Sequence, residues 1–242
     1  MGKTTSEDRH PLDNAVWWTL GSRHQALATA RGRARAYRSD VSVFAAVESF
    51  DPASWADLAE VLGPSRGCAF LGGDVPPDLP SGWVSVDRVR CVQMVLESGA
   101  VTPVVPVVPV VPVPVRPLTP DDVRAMLDLV ARTEPGPFRP RTIELGSYYG
   151  HFEGADLVAM AGERLGFDGY TEISAVCTDP KVRGRGLGSA LTHHVASGIL
   201  ARGEQPFLHV AESNTGARRV YEKLGFVQRR LVEAVLVKAP PG

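Results

Sequence analysis

Val182-Arg183-Gly184-Arg185-Gly186-Leu187-Gly188-Ser189-Ala190 is the stretch that decides how this chain is read. It follows a strand-like run, Glu172 to Thr178, and opens a helix-like run, Leu187 to Leu200. Gly184, Gly186 and Gly188 let the backbone turn tightly and approach a ligand with no Cβ in the way. The first N–H groups of a helix lack partners within it, and that end of its dipole is positive, so the turn suits a phosphate. Arg183 and Arg185 add positive charge beside it.

Downstream comes a short apolar run, Pro206 to Ala211, and then Asn214-x-x-Ala217-x-x-x-Tyr221-x-x-x-Gly225-Phe226. Asn214 has the chemistry of a helix N-cap. Ala217 and Tyr221 fall on its face at three- and four-residue steps, and Gly225 suits a left-handed helix end. Arg183-x-x-Gly186-x-Gly188 after a strand, followed by a second strand and the Asn, Ala, Tyr, Gly-Phe series, resembles the GNAT superfamily of acyl-CoA-dependent N-acetyltransferases. The resemblance covers roughly residues 113–238, about one domain. The whole chain, with a motif-poor first half, is similar in layout to the two-part branch that resembles glycine N-acyltransferases.

A dinucleotide-binding reading of the glycines fails on spacing. From Gly184 the third glycine of G-x-G-x-x-G would fall at Ser189, and from Gly186 at Leu191. No GxxxxGK[ST] is present.

Working outward, Thr119-Pro120-Asp121-Asp122 reads as a helix start, with cap, proline and acids in the order a helix dipole favours. That helix should run to about Arg132, followed by a proline-rich loop from Glu134 to Pro140 and a short helix at Arg141 to Leu145. Tyr148 to Glu153, Asp156 to Arg164 and Tyr170 to Thr178 read as three antiparallel strands, with Gly154 and Gly169 in the turns. A last strand is expected from about Val227 to Val237. Hairpin strands followed by alternating helix and strand predict an α/β fold with a mixed, mostly antiparallel sheet flanked by helices, which is also the GNAT order.

The first half, about Leu12 to Glu97, alternates helix-like and strand-like runs. Asp13 to Ala30 and Ser54 to Leu62 read as helices. Asp40 to Val47, Cys68 to Leu71, Trp83 to Val86 and Cys91 to Leu96 read as strands. Thr102 to Val115 (TPVVPVVPVVPVPV) carries prolines at 103, 106, 109, 112 and 114, which fits a polyproline II spacer, its end leading into a sheet-edge strand at Val113 to Leu118. The expected division is therefore an N-terminal α/β half at 1–100, resembling a degenerate GNAT domain. A linker at 101–115 and a catalytic domain at 113–242 follow it.

Composition bounds the rest. The 242 residues suffice for one large or two small domains. With 26 Lys and Arg against 27 Asp and Glu, the net charge of −1 points to neither a nucleic-acid nor a membrane partner. Cys68, Cys91 and Cys177 lack CxxC spacing, and Met1 to Asp13 lacks an apolar signal core, so a cytoplasmic protein with reduced thiols is expected. Arg31 to Arg38 is the one basic patch, best read as a solvated or salt-bridged face. His193 and His194 are adjacent and so point to different faces; no metal site is expected.

The resemblance implies the chemistry. Acetyl-CoA is the expected co-substrate, its pyrophosphate held by backbone N–H groups at Arg183, Gly184, Arg185, Gly186, Leu187, Gly188 and Ser189. Its pantetheine arm would pair with Val176, Cys177 and Thr178, and Asn214 would bond the pantetheine amide. Tyr221 matches the general acid that protonates the departing thiolate, since a phenol keeps its proton at neutral pH. Glu172 is the preferred base, with Glu163 and His209 as the other candidates; burial is expected to raise the Glu172 pKa toward the working range. The acceptor is a primary amine on a small molecule or a protein, and a homodimer is among the family's habits. The rivals are an acyl-CoA-binding sensor without turnover, and an interaction module working through the Val/Pro run and Arg31 to Arg38.

Overall fold

The computed structural model describes residues 10–96 and 113–242. The Val/Pro-rich spacer lies, up to residue 112, outside them. In chain order the elements are α1 (Ala15–Leu20), β1 (Ala28–Arg31), β2 (Ala34–Tyr37), β3 (Ala45–Val47), α2 (Pro52–Leu62), β4 (Gly67–Leu71), β5 (Val84–Leu96) and β6 (Arg116–Pro117). They continue with α3 (Val123–Thr133), β7 (Tyr148–Glu153), β8 (Asp156–Phe167), β9 (Tyr170–Thr178), α4 (Leu187–Ala201), β10 (Gln205–Ala211), α5 (Thr215–Lys223) and β11 (Phe226–Lys238).

The chain forms two compact units that differ from the expected linear division. One takes in the described parts of Met1–Arg38, Val43–Arg90 and Val232–Gly242; the other takes in Ser39–Ser42 and the described parts of Cys91–Leu231. The reason is the two 13-residue strands, β5 and β11, each of which belongs half to one unit and half to the other. Two short strands were expected over 83–96. The intervening Asp87-Arg88-Val89-Arg90 contains no Gly or Pro, and one strand runs through it.

In the first unit β1, β2 and β3 form an antiparallel sheet, and β4 pairs antiparallel with the end of β11. The α2 helix starts at Asp51, whose carboxylate accepts the Ser54 N–H at 2.9 Å. It buries Trp55 and Leu58 against Ala34, Ala36, Val47, Phe70 and Val235. The helix expected over Asp13 to Ala30 is shorter: α1 stops at Leu20, Gly21 caps it, and Ala28 already belongs to β1. The basic run Arg31 to Arg38 lies on and just beyond the β1–β2 hairpin, with Arg31, Arg33 and Arg35 engaged. Arg31 meets Glu60 at 2.6 Å, Arg33 meets Asp51 at 3.0 Å, and the Arg35 guanidinium lies 3.6 Å over the Trp17 ring.

In the second unit the sheet order is β5-β10-β9-β8-β7-β6, with β11 beyond β5. Every described pairing within that order is antiparallel except β9 with β10. Strand alternation sorts the two faces. Leu187, Leu191, Val195 and Ile199 of α4 pack on Val92, Ala159, Ala161, Ile173 and Leu208. The opposite face carries Met160 and Cys177 under Met126 and Leu129 of α3. A 3-10 turn at Pro120–Asp122 leads into α3, and the Asp122 carboxylate accepts the Thr119 N–H at 2.9 Å, so the expected cap is present. The mixed sheet flanked by helices agrees with the fold read from the sequence.

Candidate active site

The β9–β10 pair comes apart. Its parallel pairing runs from Gln205 opposite Tyr170 to Leu208 opposite Ile173 and goes no further. Beyond it β9 carries a bulge: its register against β8 shifts between Met160 and Gly162, and Ala175 takes φ 53°, a left-handed conformation unusual for a residue with a Cβ. The bulge bends Val176, Cys177 and Thr178 away from β10 and leaves that edge of their backbone without a strand neighbour in the sheet. Between the splayed ends lies a cavity of about 700 Å3.

The cavity gathers residues from six places in the chain. Ser174 to Thr178 line it from β9, His209, Val210 and Ala211 from β10, and Asn214, Ala217 and Tyr221 from the start and body of α5. Arg183 and Gly188 border it at the glycine turn, and Arg164 and the Thr133–Gly136 loop border it elsewhere. Of the residues expected to act together, Val176, Cys177, Thr178, Arg183, Gly188, Asn214 and Tyr221 thus meet around one space. Gly184, Arg185, Gly186, Leu187 and Ser189 complete the turn but do not line that space.

The turn is built as its glycines require. Gly184 and Gly186 take φ of 81° and 80°, and nothing lies within 4 Å of where a Cβ would sit, so backbone conformation rather than crowding calls for glycine. Gly186 is the N-cap of α4. The Arg183 Nε donates to the Thr178 carbonyl at 3.2 Å, while Arg185 meets Glu153 at 2.6 Å.

On α5 the Asn214 side chain accepts the Ala217 N–H at 3.1 Å. The Tyr221 phenol is pushed up to about 12, first by burial and then by nearby Cys177. It therefore stays protonated through neutral pH, as a proton donor must.

Glu172 corrects the sequence reading. Its side chain is fully buried, and both oxygens are engaged: Arg164 donates Nε and a terminal N–H at 2.7 and 2.6 Å, and His209 Nδ1 lies 2.6 Å away. Burial alone would raise its pKa, as expected from the sequence. The Arg164 charge and hydrogen bonds together with His209 outweigh it, and the carboxyl is held down at about 2. Glu163, the second carboxylate considered, pairs with Arg202 at 2.9 Å and is not part of the cavity wall.

No motif spacing announces the network around Glu172. Arg164, Glu172, His209, Gln93 and Arg229 form one row across β8, β9, β10, β5 and β11, on the face turned away from α4. His209 Nε2 lies 3.0 Å from the Gln93 amide nitrogen, and Gln93 Oε1 accepts from Arg229 at 2.7 Å. His194 packs edge-on against Tyr149 with ring centroids 4.4 Å apart. Among the described residues no cluster of His, Cys, Asp and Glu could hold a metal ion, and no helix is long and apolar enough to cross a membrane.

Known proteins match this geometry. The family model of FR47-like proteins matches residues 148–235. The crystal structure of a protein described as an acetyltransferase of the GNAT family, from Novosphingobium aromaticivorans, superposes with a TM-score of 0.82 at 35% identity, covering 96% of this chain and 99% of that one. A GCN5-related N-acetyltransferase from Kribbella flavida shares the fold, with a TM-score of 0.58 at 20% identity over 95% of this chain and 96% of that one. The mycothiol acetyltransferase of Thermobispora bispora is 37% identical over 103 residues, which is 42% of this chain and 35% of that protein. The match thus spans about a third of that curated relative's length. The chain belongs to the GNAT family of acetyltransferases.

Proposed function

We propose that this protein transfers an acetyl group from acetyl-CoA directly to a primary amine. The observation that carries the reading is the opening between β9 and β10. It leaves a strand-shaped vacancy beside Val176–Thr178, aimed at a turn of backbone N–H groups and at the Tyr221 phenol. A pantetheine arm has the amides to fill such a vacancy, and a pyrophosphate suits the turn at the α4 N-terminus. Arg183 would stand beside the phosphates, and the Asn214 amide would face the pantetheine. Backbone N–H groups near Val176 would polarise the thioester carbonyl, and Tyr221 would protonate the sulfur. The matched segments of mycothiol acetyltransferases support the same transfer chemistry. The finer placement proposed is the two-part branch similar to glycine N-acyltransferase-like proteins, with an amine on a small molecule or a protein as acceptor.

The rival is an acyl-CoA-binding protein without turnover. One observation favours it: Glu172, where a base was expected, is locked in an ion pair. Two measurements separate the readings. Acetyl-CoA at a hundredfold excess over its dissociation constant should stabilise the parent by about 2.7 kcal/mol, and Gly186→Glu and Arg183→Ala should shrink that gain. Free thiol should then appear when a panel of amino acids, aminosugars and short peptides is added. Stabilisation without thiol release from any amine would favour the silent binder, and no stabilisation would sink both.

A further inference from the structure

Glu172 does not border the cavity, but its neighbour His209 does. The side-chain row dictates how that histidine is protonated. The Glu172 carboxylate can only accept, so the proton between it and His209 sits on Nδ1. Gln93 receives the Arg229 N–H on its Oε1, so its NH2 faces His209. The His209 Nε2 is then the acceptor, its lone pair taken up by the Gln93 N–H in a chain fixed at both ends by arginine, on a residue that lines the cavity. Residues of three adjacent strands are needed, and the register supplies them: His209 stands directly opposite Gln93, and Glu172 is opposite Phe207, two residues before His209 on the same face. A carboxylate holding one imidazole nitrogen so that the other can take a proton is a recurrent device of general-base catalysis.

We propose that His209 is the general base, and that Glu172 is a positioning residue acting through it. This deepens the acetyl-transfer reading and rests on it. The ammonium form of the acceptor gives one proton to Nε2, directly or through one water, as the Gln93 N–H yields its place. The neutral amine forms the new C–N bond and the C–S bond breaks. The sulfur takes the Tyr221 proton, and the phenolate is refilled by the proton the nitrogen sheds as the amide forms. The proton on His209 passes to solvent. The imidazolium that forms in between lies against the Glu172 carboxylate, which Arg164 keeps ionised. The other groups that bear on the ring are Arg229 behind Gln93, the Phe207 ring with its centroid 5.8 Å away, and Glu134 and Tyr221 on the same cavity.

Two measurements on the full chain test this, one without any acceptor. Nitrogen-15 NMR of the histidines with acetyl-CoA present should show His209 as the Nδ1–H tautomer; an Nε2–H tautomer leaves no lone pair there and overturns the proposal. With the best amine of the panel, His209→Gln should lower kcat by about 10²–10⁴-fold. It should also abolish the acid limb of the kcat/KM profile and leave acetyl-CoA affinity unchanged. A variant that keeps both the parent's kcat and the acid limb refutes the role. If acetyl-CoA binds and no amine is acetylated, the transfer reading falls and this proposal with it. A correct tautomer with normal turnover in His209→Gln condemns the His209 assignment alone.

Discussion

The two ends of the cavity are built by different physics. The end facing the glycine turn is made of backbone: positive-φ glycines at 184 and 186, the first N–H groups of α4, and the strand edge freed at Val176–Thr178. The end facing His209 is made of side chains, drawn from five strands into one row of ion pairs and hydrogen bonds. A backbone site depends on conformation and tolerates most changes of side chain that keep it. A buried polar row depends on every member, because removing one leaves the others desolvated and unpaired.

The largest expected effect follows from that contrast. Arg164→Met leaves the Glu172 carboxylate fully buried without its guanidinium, and should cost about 3–5 kcal/mol in urea unfolding. A loss below about 1 kcal/mol, the level of an exposed pair, would mean the row is solvated. Tyr221→Phe comes next in scale: it keeps the ring's packing but removes the proton donor, so turnover should fall about 10²-fold or more with acetyl-CoA affinity retained. With its pKa near 12, Tyr221 also gives no alkaline limb at lower pH.

Acid should dissolve the row before the turn. The Glu172 carboxyl sits near 2 in the folded protein, below its ordinary value of 4.5. A depressed carboxylate pKa means the unfolded state binds the proton more readily, so its contribution is complete above about pH 4.5 and is lost as pH falls toward 2. A urea series over that window should show the loss, and it should be absent in a Glu172→Gln variant. At the backbone end the smallest change is expected. Asn214→Ala removes the acceptor of the Ala217 N–H and should cost about 1 kcal/mol. A cost several times larger would show that the α5 start is as brittle as the row.

The same contrast explains what the sequence made legible. The hairpin strands β7 to β9, the turn and α5 are local patterns: tight-turn glycines, an N-cap three residues before the N–H it caps, a glycine at the helix end. The left-handed Ala175 carries no such mark, since alanine is not a residue that announces positive φ. The polar row was invisible because its members are far apart in sequence: Gln93 and His209 are separated by 116 residues, and Gln93 and Arg229 by 136. Burial of Glu172 was foreseen correctly, but the sign of its pKa shift depended on Arg164, whose place on the next strand no periodicity revealed. In the first half, the charged run at 87–90 looked like a break, and only the pairing of long strands shows it is continuous.

Acetyl-CoA is proposed to lie along the freed edge of β9 and to end on the glycine turn. Amide hydrogen exchange with and without acetyl-CoA tests it most directly. New protection is expected at Val176–Thr178 and at Arg183–Ser189, with none on the strands of the first unit. Protection confined to other segments, or no change at these amides under conditions where the ligand binds, would contradict it.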